Sequence, residues 1–249
     1  MTTALLAASS SPSPLWYATR AGGTVALVLL TATVALGIAV GGRYAPRSLA
    51  RFELGALHRN LALLTVVFLV LHIVTAVLDP FVHLGWWITV VPFAASYRPL
   101  WLGLGTVAFD LLLAVVLTSA TAGVRLRLGQ RRWKAVHWLA YACWPVALFH
   151  AAGTGTDTRS TLQLVLYAAC LIVVVVAVWW RLYRAGPGHA AARLWAGLAV
   201  LALPVALVGF LRLGPLAPGW SHRAATAPAT APSAVADQLP SAAPSGAAR

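Results

Sequence analysis

The sequence predicts an all-helical integral membrane protein with six transmembrane helices. Of its 249 residues, 60% are hydrophobic and only 9% are charged, and the mean hydropathy is +0.82. Apolar runs close to the length of about 20 residues that spans a bilayer recur along the chain, and strand-and-helix alternation is lacking. We expect the six spans at residues 18–40, 58–78, 100–120, 135–152, 161–182 and 194–213.

The chain begins with a stretch rich in Ser, Ala and Pro, at residues 1–16, which lacks the basic start of a secretory signal. We expect a short disordered tail outside the membrane there. The membrane domain is expected to cover residues 17–213, with the first helix beginning near Tyr17 and a basic connection leading to the second helix. That second helix is expected to open at His58.

An outer connection is expected between the second and third helices, at residues 79–99. It contains Pro80, Pro92 and the pair Trp86-Trp87, a mixture typical of a segment lying in the membrane interface, where it could cover a site beneath it. Residues 214–249 are rich in Ala, Pro and Ser and too poor in large apolar residues to bury a core. They are therefore expected to form a disordered tail.

The basic residues favour one orientation in the cell membrane. Lys and Arg near helix ends are retained preferentially on the cytoplasmic side. With both termini outside, the outer segments hold six basic residues and the inner connections hold the other twelve of the 18. The inner set is Arg43, Arg47, Arg51, Arg59, Arg125, Arg127, Arg131, Arg132, Lys134, Arg181, Arg184 and Arg193. This dispersed distribution indicates membrane topology and argues against nucleic-acid binding.

Four histidines lie in apolar stretches, His58 and His72 in one and His137 and His150 in another. Fourteen helical residues rise about 21 Å and leave the first two rings within roughly 40° of the same face. One histidine of each pair would then lie near each side of the membrane. Two such helices could supply both axial ligands to each of two stacked haems within a four-helix core.

The spacing of 13 residues between His137 and His150 would place these two rings some 140° apart on a regular helix. A distortion is therefore expected between them. Pro145 is a candidate cause, because it cannot donate the hydrogen bond of an ordinary helical residue. Trp144 beside it is a candidate to pack between or against the porphyrins, although aromatic residues in membrane helices also simply fill space.

Charged residues near the two histidine levels are candidates for a further role. Haem carries two propionates that favour guanidinium partners, and Arg59, Arg98 and Arg159 are placed to provide them. Each could equally serve as an orientation charge or contact lipid headgroups. Asp110 lies about ten residues into the third helix, where an ionised carboxylate is costly, so it could be protonated, paired or part of a proton route.

The other histidines and the two cysteines are not expected to bind a metal. His83, His189 and His222 fall in connections or the tail, although His83 could touch an outer substrate. Cys143 and Cys170 lie on different helices and are expected to be free packing residues. The sequence contains no Cys-x-x-Cys-His motif, so haem would be b-type and held without thioether bonds.

No nucleotide-binding segment is recognisable, because a Gly-rich phosphate fingerprint following a strand is missing from the sequence. Electrons would therefore come from a partner or a diffusible carrier. Quinol from the membrane and a separate flavin-bearing reductase on the inner face are the two candidate donors. The basic inner connections would suit an acidic partner.

With its six spans and two histidine pairs, the chain resembles the ferric reductase-like transmembrane domain over about residues 16–213. That family includes the haem-bearing membrane halves of ferric reductases and NADPH oxidases, and a bacterial haem subunit that serves a methionine sulfoxide reductase. The resemblance implies that His58 and His137 ligate the inner haem and that His72 and His150 ligate the outer one. The chain departs from the oxidases in having no fused flavin and nicotinamide domain.

These observations predict a protein that carries electrons outward through two b-type haems, to ferric ion, oxygen or a partner reductase. It would be a component of an oxidoreductase, without its own flavin or NADPH domain. Bis-histidine ligation leaves no open position on either iron. The alternative is a haem-free transporter or scaffold whose histidines bind a transition metal or relay protons.

Overall fold

The computed structural model describes residues 13–41, 51–80, 84–184 and 190–220, and this part of the chain is helical and contains no strand. Two short 3-10 turns, Trp86–Thr89 and Thr156–Arg159, lie in connections. The all-helical prediction is confirmed. The α-helices in these ranges are α1 (Pro14–Gly41), α2 (Arg51–Leu78), α3 (Pro99–Ala120), α4 (Ala122–His137), α5 (Leu139–Thr154), α6 (Thr161–Arg184) and α7 (Ala190–Leu213).

Five of these helices are long and apolar enough to cross a membrane: α1, α2, α3, α6 and α7. The fourth predicted span, residues 135–152, is instead divided between the end of α4 and α5. With 16 residues, α5 is only about 24 Å long. The multi-pass membrane bundle is therefore supported, whereas the sixth span stays a prediction.

Three helices begin four or more residues earlier than the sequence predicted, and the last of them, α7, begins at Ala190. The first starts at Pro14, because the Ser13 hydroxyl accepts a 3.0 Å hydrogen bond from the Trp16 N–H and caps the helix. Proline suits the first helical position, since its missing N–H would have no helical partner there. The second helix starts at Arg51, so His58 lies within α2 and does not open it.

The distortion expected between His137 and His150 takes the form of a break at Trp138, where α4 ends and α5 begins. The Tyr141 N–H donates to the Trp138 carbonyl three residues earlier, at 3.0 Å. A turn of this 3-10 type rotates the chain further per residue than an α-helical turn. Pro145, the candidate cause, lies inside α5 without ending it.

The core forms where α1, α3, α5 and α6 meet. Trp144 and Leu148 of α5 are almost completely buried there, together with Tyr167 and Cys170 of α6. By contrast, large apolar side chains cover much of the outside of the helices; Val67 of α2, for example, is 61% exposed. An apolar exterior is what a bundle surrounded by lipid requires.

The packed structure continues beyond the last helix, into the predicted C-terminal tail. The Trp220 ring lies 5.5 Å from the Trp101 ring and 6.2 Å from the Phe210 ring, measured between centroids. Residues 221–249 lie outside the described part of the chain. So do most of the predicted N-terminal tail, part of the interfacial connection, and His83, His189, His222, Arg43 and Arg47.

Candidate functional site

The four candidate histidines lie in two facing pairs. The ring centroids of His58 and His137 are 6.3 Å apart, and those of His72 and His150 are 6.4 Å apart. The rings of each pair are inclined to one another by 64° and 76°. The structure thus brings together the same partners that the family resemblance implied, one pair at each end of α2.

The separation within each pair matches two imidazoles on opposite sides of one metal ion. A metal–nitrogen bond of about 2 Å and a distance of roughly 1 Å from the nitrogen to its ring centroid place two such centroids about 6 Å apart. Rotation of a ring about its metal–nitrogen bond leaves this distance unchanged. The inclination of the rings is therefore compatible with axial ligation.

Three of the rings have one nitrogen engaged by a backbone carbonyl. His58 Nδ1 lies 3.1 Å from the Thr33 oxygen, His72 Nδ1 lies 2.7 Å from the Thr19 oxygen, and His150 Nδ1 lies 2.7 Å from the Trp101 oxygen. Because a carbonyl can only accept, Nδ1 carries the proton in each ring. Nε2 is then the unprotonated nitrogen that a metal requires.

A glycine lies four residues after each of these carbonyls, at Gly23, Gly37 and Gly105. A methyl group on these glycines would lie 2.8 Å from His72 Nδ1, 3.1 Å from His58 Cε1 and 2.5 Å from His150 Cε1, respectively. The absence of a side chain therefore lets each imidazole lie directly against a neighbouring helix. We find this arrangement twice on α1 and once on α3.

Sequence reasoning found the histidines but missed these carbonyls and glycines. A signal was present, because Gly23 and Gly37 are separated by 14 residues, the same interval as His58 and His72. Two antiparallel helices that touch at two levels would show such matched intervals. The carbonyls give no signal, because every residue has one.

His137 is held differently from the other three histidines. Its Nδ1 lies 3.4 Å from the Ser119 hydroxyl oxygen, and its ring stacks on Trp133 with centroids 5.2 Å apart and planes 27° apart. Gly123, four residues after Ser119, does not take part, since a methyl group there would meet nothing within 4 Å. Among the described residues, the contacts given for this ring are therefore with the side chains of Ser119 and Trp133.

A cavity of about 320 Å³ adjoins the His72–His150 pair and includes both rings in its lining. Its volume falls within the range of about 300–1,000 Å³ common for ligand sites. The lining is mostly apolar, with Leu27, Leu69 and Phe109 among its residues. The cavity therefore offers an apolar site beside two imidazoles, as a porphyrin requires.

None of the three predicted propionate partners is among the described residues that line this cavity. Arg98 is 4% exposed and donates from Nη1 to the carbonyls of Gly153 and Thr154, at the end of α5. Arg159 donates to two carbonyls that follow α7. Arg59 is exposed on α2. Their contact with haem stays a prediction.

The packing of Trp144 against a porphyrin and the roles considered for Asp110 also remain predictions. The Trp144 ring is 1% exposed, and its Nε1 donates to the Thr31 hydroxyl at 2.9 Å within the core. Asp110 is half-buried on α3. Both cysteines are free and buried, as predicted.

Within the described part of the chain, His, Cys, Asp and Glu side chains form no group of three or more that could hold a metal ion. The histidines occur in twos. Two ligands are fewer than the three or four that protein zinc sites provide. They are the number that haem iron needs, since the porphyrin supplies the other four nitrogens.

Comparison with known protein families gives a match over about half of the chain. The model of the ferric reductase like transmembrane component matches residues 22–148, which include most of α1, all of α2 and α3, and both partners of the His58–His137 pair. The chain belongs to this family. His150 lies just beyond the matched range.

The chain is also similar to an individual bacterial protein. The chain is 32% identical over 177 residues to the protein-methionine-sulfoxide reductase heme-binding subunit MsrQ of Ralstonia nicotianae, covering 68% of this chain and 73% of the relative. No solved structure matches the chain. The family and the relative both support a membrane component of an electron-transfer system.

Proposed function

We propose that this protein is a transmembrane electron-transfer subunit that holds two b-type haems. His58 and His137 would ligate one haem, and His72 and His150 the other. The observation that carries this proposal is that four imidazoles form two pairs, each with the ring separation expected of two ligands of one metal ion. Three of the four rings have Nδ1 bonded to a carbonyl. Haem iron, when bound, supplies one-electron redox chemistry.

The residues of the chain position the ligands and tune the two sites. The carbonyls of Thr19, Thr33 and Trp101 fix the tautomer and orientation of three rings, and such bonds also raise the basicity of the ligating nitrogen. The helices supply an apolar surrounding that limits solvent access. Two axial histidines leave no open coordination position, so an acceptor would receive electrons at the edge of the haem.

The charge distribution and the relative support a direction of electron flow and a class of partner. The excess of basic residues in the predicted inner connections supports electron entry from the cytoplasmic side or the quinol pool and exit outside. The name of the Ralstonia relative supports a partner reductase as the acceptor, ahead of ferric ion or oxygen. Quinol or a separate flavin-bearing reductase would be the donor.

The test is haem quantification per polypeptide, with oxidised and dithionite-reduced spectra of the purified protein in detergent. We expect two low-spin b-type haems per chain. No haem after haem-supplemented expression would overturn the proposal and favour the haem-free transporter or scaffold.

Histidine substitutions then test the pairing. His72→Ala should leave one haem per chain, and His72→Ala with His150→Ala should also leave one, because both remove the same site. The matched cross-pair variant, His72→Ala with His137→Ala, should leave none. A cross-pair variant that retains one haem would contradict the assigned pairs.

A further inference from the structure

Arg20 lies beside the His72–His150 pair, and the family resemblance implied no role for it. It follows Thr19, whose carbonyl holds His72, and its side chain lines the cavity that includes both histidines. Among the described residues that line this cavity, Arg20 is the sole Arg or Lys. It is therefore the basic side chain of the described lining with which an anionic group in the cavity would pair.

Contacts on two sides hold the guanidinium of Arg20 in place. It lies over the Trp16 ring, 5.0 Å from the centroid, and its Nε forms an ion pair with Asp157 in the connection before α6. The Arg20 side chain is only 20% exposed, whereas that of Asp157 is 49% exposed. Arg20 thus lies between the cavity and a more solvated carboxylate.

The chemistry of arginine allows it to serve two carboxylates at once. The guanidinium has five N–H donors in a planar fork, which suits it to binding carboxylates. Arg98 and Arg159 differ, because neither lines the cavity and both donate to backbone carbonyls. A carboxylate in a mostly apolar cavity is costly unless a cation pairs with it.

We propose, on the basis of the haem ligation proposed above, that Arg20 binds a propionate of the haem held by His72 and His150. Asp157 positions the guanidinium from the other side. The two residues thereby set the reduction potential of this haem in opposite directions, since a nearby positive charge favours the reduced iron and a negative charge disfavours it.

The experiment is a spectroelectrochemical titration of the purified two-haem protein and its variants. Arg20→Gln should lower one of the two midpoint potentials and leave the other unchanged. Asp157→Asn should raise the same midpoint. A purely structural role predicts shifts of one sign, because both substitutions break the same ion pair. Arg212→Gln, an equal change of charge at an exposed site on α7, is the control and should move neither midpoint.

The outcomes separate this proposal from the proposed function. Two haems with both midpoints unchanged in Arg20→Gln and Asp157→Asn would overturn the role of Arg20 and leave the electron-transfer function intact. Should Arg20→Gln fail to retain its haem, Asp157→Asn decides: a raised midpoint supports the proposal, and a lowered or unchanged one overturns it. Absence of haem from the unmodified protein would instead overturn the proposed function.

Discussion

His150 packs against α3 so closely that the residue facing it has no room for a side chain. A methyl group at Gly105 would lie 2.5 Å from His150 Cε1, well inside van der Waals contact. The ring would have to leave the Trp101 carbonyl or α3 would have to move, and in either case the His72–His150 separation would change.

We therefore predict that Gly105→Ala loses the haem of this pair and keeps the other. Haem content per chain should fall from two to one, measured by the reduced spectrum and pyridine haemochrome of the purified protein. Gly209→Ala on α7 is the matched control, because a methyl group there meets nothing within 4 Å. Two haems in the Gly105→Ala protein would show that the close approach does not position His150.

At the scale of single residues, the sequence predicted the candidate ligands but not their surroundings. Uncompensated polar rings in apolar helices are costly, so the four histidines were identifiable from the apolar stretches that contain them and from their spacing. Arg20 was not, because its role depends on where α1 and the connection before α6 meet. The carboxylate of Asp157 is 137 residues away along the chain.

At the scale of helices, α4 contains a sharp irregularity. Gly129 has a φ of 71° and a ψ of 161°, and this conformation interrupts the helix between its first half and the segment that carries Trp133 and His137. Residues other than glycine are strongly disfavoured in this region of φ and ψ. The direction in which the second half of α4 leaves the break therefore depends on this glycine.

We predict that Gly129→Ala destabilises the protein by about 1–3 kcal/mol, the usual cost of a strained backbone conformation. The expected observation is a lower midpoint of thermal unfolding in detergent, followed by circular dichroism. Gly123→Ala, in the same helix with an ordinary φ and no neighbour within 4 Å, should not lower the midpoint, because Ala favours the helix over Gly. Equal midpoints for the two variants would mean that the conformation at Gly129 carries no strain.

Helix existence was predictable here, and helix continuity was not. Runs of apolar residues predicted five helices that the structure describes as long enough to span a membrane. The fourth run is divided between α4 and α5, because the break at Trp138 depends on local hydrogen bonding, which hydropathy does not report. Pro145 was the predicted cause of a distortion, yet α5 continues through it.

At the scale of the whole molecule, the described helices present a largely apolar exterior. Composition alone was enough to predict this, because a chain with 9% charged residues cannot cover a globule of this size with polar surface. The arrangement of helices around the core could not be predicted in the same way. It depends on small residues that allow close contact between helices distant in sequence.

We predict that both termini lie outside the cytoplasm. Alkaline phosphatase fused at the C-terminus should be active in a bacterial host, and a green fluorescent protein fused there should be dark, because each folds on one side of the membrane only. Fusions placed within α4, between Gly123 and Gly129, should give the reverse pattern. Active phosphatase in α4 would invert the topology and with it the proposed direction of electron flow.

The bonds from three backbone carbonyls to the histidine rings have a consequence for evolution. A carbonyl is the same whatever residue bears it, so mutation at Thr19, Thr33 or Trp101 cannot delete the acceptor. The glycines four residues later have no such freedom. Among related sequences we therefore expect drift at the first set of positions beside invariance at Gly23, Gly37 and Gly105, a pattern in which the residues that make the bonds diverge and those that merely leave room do not.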